Sequence, residues 1–398
     1  MASGFVMAKV VAIYTGPSGI AMLGQVQSLV SALSGIVAAP TGTAVVRYTA
    51  EHQSQGLDAC APWWKAALKW SMVLSGIVIP AACIFAKPLS FWILGSASHE
   101  WLIVLIALAL PLSVANSLVA SVVNGQQQYG RFVWLGMISV IVSTIAMVFL
   151  VVQQNLNGAM IAAASFTSMS GLVMLLGSFR QPWFRLKYWW GKAEKVHLIG
   201  IAGYVAMAVT SALTVPVALL IVRNILVAQV GWEEAGHWQA VWKISEVYLG
   251  VITMALSTYF LPRLASVQGA DAILREINIT AKAVMPIVVA MAVVVYLFRD
   301  TAIRLIFTAD FYPARDLFAV QLVGDVVKIL SWLYAYPMLS HGATRWYMGT
   351  EMVFSATFVM FSYVLAVRYG VDGVNMAYAL NYSLCLIFVY KNVKRFSQ

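Results

Sequence analysis

The chain has 398 residues, of which 61% are apolar and 10% are charged. Soluble domains average about 45–50% apolar and about 25% charged residues, so an ordinary soluble enzyme, a disordered protein and a disulfide-stapled secreted domain are excluded. The net charge of +10 is typical of the Lys and Arg excess in cytoplasmic loops of membrane proteins, and no nucleic-acid partner is expected. The long continuous apolar runs predict an all-α polytopic membrane protein rather than a transmembrane β-barrel.

Apolar windows long enough to cross a membrane follow one another along the whole chain. They predict twelve transmembrane helices at 1–15, 22–46, 70–93, 101–123, 133–152, 158–178, 198–228, 237–261, 283–298, 316–338, 346–367 and 373–390. The first window would reach only about 22 Å, less than the roughly 30 Å of a bilayer core. We therefore expect this first helix to be N-terminally truncated, with further residues upstream.

The loops between these windows alternate between a set rich in Lys and Arg and a set with few of them. Because Lys and Arg accumulate on the cytoplasmic side, both termini are predicted to be cytoplasmic. The most basic loop, 179–196, also carries several aromatic residues. Such a composition is typical of a segment in the headgroup layer. We interpret it as a linker between a six-helix bundle at 1–178 and a second at 197–398.

A weak internal repeat favours the same division. The spacing from Asn157 to Asp372, each followed by glycine, is nearly the same as the spacing from Arg47 to Arg263, which end the second and eighth windows. Two six-helix halves in the same orientation would be related by an axis along the membrane normal, and many transporters of this kind bind substrate between their repeats.

Ionisable residues inside predicted helices are costly and usually face a cavity or pair with each other. Five cations are candidates for binding an anionic headgroup, because Arg and Lys suit phosphate: Arg47, Arg223, Lys243, Arg263 and Lys328. Three carboxylates are candidates for proton coupling or for holding those cations in place: Glu246, Asp325 and Glu351.

Several of these residues also have a structural interpretation. Lys243 with Glu246, and Asp325 with Lys328, are three apart on one helix face and can neutralise each other. Arg223 can instead lie near the outer interface with its side chain extended into the headgroups.

The last window carries a polar stripe of Asn375, Tyr378 and Asn381, with Tyr382 one turn after Tyr378. Such a stripe can line a cavity that accepts a sugar. Hydrogen bonds between packed helices are the alternative explanation.

Motifs of catalysis are missing from the sequence. His99-Glu100 begins like a zinc-protease motif, but Ile103 stands where the second histidine is needed. Neither a phosphate-binding loop nor a dinucleotide fingerprint is present, and Cys60, Cys83 and Cys385 form no metal-binding spacing. We expect neither an enzyme nor a cofactor or metal site.

Several stretches resemble the Wzx-type O-antigen translocases and the enterobacterial common antigen lipid III flippases of the MOP (multidrug/oligosaccharidyl-lipid/polysaccharide) superfamily. They are 16–19, 213–223, 231–249, 259–263 and 315–328, and the similarity runs along essentially the whole chain in matching order. Glu246 stands where close relatives have Asp, and Arg47 where they have Lys, so charge is retained at both positions.

The resemblance implies two six-helix bundles around a central cavity. It implies transfer of an undecaprenyl-pyrophosphate-linked oligosaccharide across the bacterial inner membrane by alternating access, driven by the proton gradient. Membrane lipids, a glycan polymerase and a chain-length regulator are the implied partners. Two alternatives stay open: a drug or cation exporter of the same superfamily, which would have a cavity dominated by carboxylates, and a membrane glycan polymerase or ligase, which would need long outward loops.

Overall fold

The computed structural model describes residues 2–267 and 269–396, and these residues are almost entirely helical. Their α-helices are α1 Ala2–Ala38, α2 Thr43–His52, α3 Leu57–Ile84, α4 Ala86–Leu94, α5 Glu100–Gly125, α6 Tyr129–Ser178, α7 Lys195–Ala255, α8 Leu261–Ser266, α9 Ala270–Leu297, α10 Arg299–Ile306, α11 Phe318–Ser340 and α12 Thr344–Phe396. A π-helical turn, Leu256–Phe260, joins α7 to α8.

Eight helical stretches in the described part of the chain are long and apolar enough to cross a membrane. An all-α polytopic membrane protein, as predicted, is therefore confirmed. Four of these stretches, which include α1, α6, α7 and α12, contain 52, 50, 66 and 53 residues. At about 1.5 Å per residue, each exceeds twice the roughly 30 Å of a bilayer core. The predicted number of twelve crossings stays a prediction.

Breaks in the backbone divide the longest stretches where the sequence predicts loops. Helical φ/ψ angles are interrupted at Gly16 in α1, Asn155 in α6, Gly231 in α7 and Gly370 in α12. The chain turns back at Gly370, and Gly373 then lies so close to the preceding part of the helix that an added Cβ would overlap the backbone carbonyl of Leu365.

These breaks support the internal repeat. The residues with positive φ include three pairs, Gly16 with Gly231, Gln127 with Gly342, and Asn155 with Gly370, and the spacing along the chain is identical in all three. A Cβ on Gly158 would overlap the Leu150 carbonyl just as one on Gly373 would overlap that of Leu365, again at the same spacing. The two halves of the sequence therefore change direction at matching positions.

The chain forms two compact units. The C-terminal unit contains the residues up to Met22 and those from Ile221 onward, and the N-terminal unit is Leu23–Leu220. These bounds differ from the predicted bundles, 1–178 and 197–398, because the first parts of α1 and α7 pack with the opposite unit. The division into two bundles around the linker 179–196 stays a prediction.

The segment 179–196 packs into the N-terminal unit and contains two short 3-10 turns, Pro182–Phe184 and Leu186–Tyr188. Trp183 is 1% exposed, and Trp189 stacks on the buried Trp64 with ring centroids 5.2 Å apart. Leu186 and Trp190 remain exposed. The segment is therefore held by its inward aromatic rings while two apolar side chains point outward.

Candidate functional site

All the predicted site residues except Arg47 lie in the C-terminal unit. The part of α7 after Gly231, together with α11 and the part of α12 after Gly370, positions most of them. These three segments pack side by side through hydrogen bonds and ring contacts. Charged and polar residues that are far apart in the sequence thus form two connected groups, one around Asp325 and one around Lys328.

Asp325 on α11 is fully buried and accepts hydrogen bonds on both carboxyl oxygens. Oδ2 accepts from Ser245 Oγ and from the Tyr248 hydroxyl, each at 2.6 Å. Oδ1 accepts from the Tyr378 hydroxyl at 2.8 Å and from Gln321 Nε2 at 3.3 Å. A buried carboxyl group needs such partners, and here they tie α7 and α12 to α11.

Lys328 lies one turn from Asp325, and its ammonium group is surrounded by aromatic rings. Its Nζ is 4.9 Å from the ring centroid of Trp332, 5.3 Å from that of Tyr382, and 5.5 Å from those of Trp242 and Tyr378. We call these four aromatic residues the aromatic box. All four distances fall within the roughly 6 Å range of cation–π attraction.

The two charge pairs expected from helix spacing behave differently. Lys243 and Glu246 form an ion pair at 3.1 Å, with both side chains partly exposed. In the described part of the chain, Asp325 and Lys328 form no ion pair within 4.0 Å. Asp325 instead bonds to hydroxyl groups of α7 and α12, and Lys328 lies among the rings of the aromatic box.

Arg223 on α7 is buried, with 2% of its surface exposed. Its Nε donates to Gln239 Oε1 at 2.8 Å, and its guanidinium carbon lies 5.9 Å from the ring centroid of Trp238. The side chain therefore does not extend outward, and the interpretation of Arg223 as an interfacial residue is wrong. In this conformation protein atoms, and not solvent, surround the guanidinium group.

The polar stripe on α12 is buried and hydrogen-bonded within the C-terminal unit. Asn375 Nδ2 donates to the Leu317 carbonyl at 3.1 Å, and Asn381 Oδ1 accepts from Thr357 Oγ1 at 2.6 Å. These are the contacts that the packing alternative expects. Asn375 Oδ1 is buried and accepts no hydrogen bond from any described residue, so this side chain keeps one acceptor for another group. Sugar binding by the stripe stays a prediction.

Three other predicted residues lie outside the hydrogen-bonded group of Asp325. Arg263 on α8 is exposed and pairs with Glu276 of α9. Glu351 is half-buried near the start of α12. Arg47, in the N-terminal unit, is exposed and hydrogen-bonds the Tyr204 hydroxyl. The structure does not bring these three to Asp325.

The donors to Asp325 on α7 were not predicted from the sequence. These donors are Ser245 and Tyr248, which are three residues apart. Trp242 lies three residues before Ser245, so all three side chains are on one helix face. A polar and aromatic face inside an otherwise apolar helix was the sequence signal that could have identified these donors. Gln321, one turn before Asp325, had no such pattern.

Comparison with known proteins finds similar sequences among the flippases. No protein-family model matches it. The lipid III flippase of Escherichia coli strain K12 is 29% identical over 400 residues, which covers 96% of this chain and 93% of that protein. A protein of the same name from Shigella flexneri gives the same values. The resemblance noted in the sequence is confirmed.

Solved structures agree on the fold. A multidrug resistance MATE family transporter of the MOP superfamily, in an inward-facing conformation, matches with a TM-score of 0.81 and 13% identity, covering 99% of this chain and 94% of that one. The lipid II flippase MurJ, in an inward closed conformation, matches with a TM-score of 0.76 and 11% identity, covering 100% and 87%. The fold is that of MOP superfamily transporters.

Proposed function

We propose that the chain is a flippase that moves an undecaprenyl-pyrophosphate-linked oligosaccharide across the bacterial inner membrane. The observation that carries this proposal is the similarity to the lipid III flippase of E. coli along 96% of the chain. The glycan would be an O-antigen or enterobacterial common antigen repeat unit, so that the protein serves polysaccharide transport in lipopolysaccharide biosynthesis or a related route. The protein then acts as a transporter and not as an enzyme.

Within this proposal the cations bind the headgroup. The guanidinium of Arg223 and the ammonium of Lys328 sit in protein surroundings with little water, where attraction to a pyrophosphate is strong. Lys243, Arg263 and Arg47 are more exposed and attract the headgroup as it approaches. The sugars contact the stripe of Asn375, Tyr378 and Asn381, where Asn375 Oδ1 is an acceptor that no described residue occupies.

Alternating access is coupled to proton movement through the carboxylates, with Asp325 as the main candidate. Its oxygens accept hydrogen bonds from both α7 and α12. A proton on Asp325 occupies one acceptor position, so protonation weakens at least one link between helices. Glu246 and Glu351, nearer the surface, are the further coupling candidates.

The proposed topology has twelve transmembrane helices in two six-helix bundles, with both termini in the cytoplasm. It follows from the distribution of Lys and Arg and from the backbone breaks at matching positions of the two halves. The glycan polymerase and the chain-length regulator are the proposed protein partners, since they use the product of this step.

Two experiments test the proposal. Expression in an E. coli strain that lacks its lipid III flippase should restore the displayed glycan, whereas an expressed and membrane-inserted protein that restores nothing would contradict it for this glycan. In liposomes that carry a lipid-linked oligosaccharide, an inward or outward pH gradient should change the flipping rate. Equal rates with and without the gradient would remove proton coupling.

Drug export is the second candidate function, because the MATE-family structure matches with a TM-score of 0.81. At 13% identity this likeness concerns the fold alone. Drug-sensitive cells that express the protein distinguish the two functions, since an exporter lowers drug accumulation and a flippase leaves it unchanged.

A further inference from the structure

The aromatic box is built by three helices around one charge. Trp242 comes from α7, Trp332 from α11, and Tyr378 and Tyr382 from α12. Their rings pack against each other, with centroids 5.2 Å apart for Trp242 and Tyr378 and 4.9 Å apart for Tyr378 and Tyr382. Trp242 and Tyr378 are buried, and Trp332 and Tyr382 are half-buried.

Two of the four rings are polarised by carboxyl groups. The Tyr378 hydroxyl donates to Asp325 Oδ1 at 2.8 Å, and Trp242 Nε1 donates to Glu246 Oε1 at 3.0 Å. Hydrogen bonds polarise one another in a low-dielectric interior. Donation to an anion increases the electron density of the ring, and the ring face then attracts a cation more strongly.

Aromatic boxes of this construction bind quaternary ammonium groups in proteins. Here the cation at the centre is the ammonium group of Lys328, 4.9–5.5 Å from all four ring centroids. Lys328 belongs to α11, so the protein fills the aromatic box with its own side chain and needs no external ligand for this.

We propose that the aromatic box is an organic-cation site that Lys328 fills as a tethered ligand, and that Lys328 thereby keeps free organic cations out. The box itself does not depend on what the protein transports. The role of the box in selectivity rests on the proposed function. The fold is shared with a multidrug transporter, and in this chain Lys328 would reject organic cations while the positive charge of Lys328 stays available for phosphate.

Binding of tetramethylammonium to the purified protein in detergent tests the proposal, measured by saturation-transfer NMR and by the rise in melting temperature with probe concentration. Lys328→Ala empties the box and should bind the probe at least about tenfold more tightly than the wild type, as expected for a desolvated cation–π site. Lys328→Met keeps an apolar occupant and should bind as weakly as the wild type. Lys391→Ala, which removes the same charge from an exposed position near the end of α12, is the matched control and should also stay at the wild-type level.

A folded Lys328→Ala protein, judged by its gel-filtration profile and cooperative melting, that binds the probe no better than Lys328→Met would overturn the proposal. If Lys328→Ala does not fold, amine labelling of the wild type decides. Lys328 should react at least about tenfold more slowly than Lys243 because the four rings enclose its ammonium group, and Tyr382→Ala should speed the reaction at Lys328. Equal labelling of both lysines would refute the enclosure. None of these measurements needs a glycan, so a failure of the flippase proposal is seen separately.

Discussion

Removal of the Asp325 carboxyl group should be among the most destabilising changes in the C-terminal unit. Asp325→Ala leaves the hydroxyl groups of Ser245, Tyr248 and Tyr378 without the acceptor that they now share. A buried donor without a partner costs about 1–3 kcal/mol, so three of them cost about 3–9 kcal/mol. Water admitted to the vacated space offsets part of this cost. We expect the free energy of unfolding to fall by about 3–5 kcal/mol.

Equilibrium unfolding by SDS in mixed micelles, followed by circular dichroism, measures this loss. Tyr248→Phe removes one donor and should cost about 1.5–3 kcal/mol, the range for hydrogen bonds to charged groups. In the double variant, Tyr248→Phe removes a hydroxyl that no longer has an acceptor. The double variant should therefore be no less stable than Asp325→Ala alone, which makes the two changes strongly non-additive.

Asp271→Ala is the control, since it removes a carboxylate from the exposed ion pair with Lys394. Exposed ion pairs contribute little, so this change should stay within about 0.5–1 kcal/mol of the wild type. If Asp325→Ala and Asp271→Ala lower stability equally, or if the losses from Asp325→Ala and Tyr248→Phe simply add, the hydrogen-bonded cluster does not exist as described.

Three further predictions address other parts of the chain. Arg223→Ala should abolish glycan display without loss of membrane expression, measured by glycan staining beside an immunoblot; normal display would remove Arg223 from the headgroup site. Gly158→Ala and Gly373→Ala should each lower the melting temperature, because the added methyl group overlaps a backbone carbonyl and overpacking costs about 1–3 kcal/mol; unchanged melting would mean that the turns can relax. Trp183→Ala should cost about 3–5 kcal/mol, as for a buried tryptophan, and should expose the segment 179–196 to protease; a cleavage rate equal to that of the wild type would show that Trp183 does not hold it.

Sequence patterns located the helices well because apolar run length is set directly by the bilayer. The predicted loops at 153–157 and 368–372 contain the breaks at Asn155 and Gly370. The same patterns could not assign helices to compact units. That assignment depends on which distant side chains pack together, and the sequence does not record it.

Site residues were predicted less completely, for a physical reason. A charge inside an apolar run is conspicuous, so Asp325 and Lys328 were identified. Their partners come from other helices, and spacing along α11 suggested only that the two pair with each other. The hydroxyl groups of Ser245 and Tyr248 are ordinary in composition, and their importance appears only when α7 lies beside α11.

The matching turns of the two halves also differ in how they are made. Where the second half places Gly342 and Gly370, the first half carries Gln127 and Asn155 with φ of 58° and 50°. Side chains at such angles cost roughly 1–2 kcal/mol that glycine avoids, so the first half retains backbone strain at two corners where its counterpart has none. Gln127→Gly and Asn155→Gly would give the first half the same glycines that the second half has at these turns. The two substitutions offer a route to a more stable protein without altering any of the charged residues proposed to act in transport.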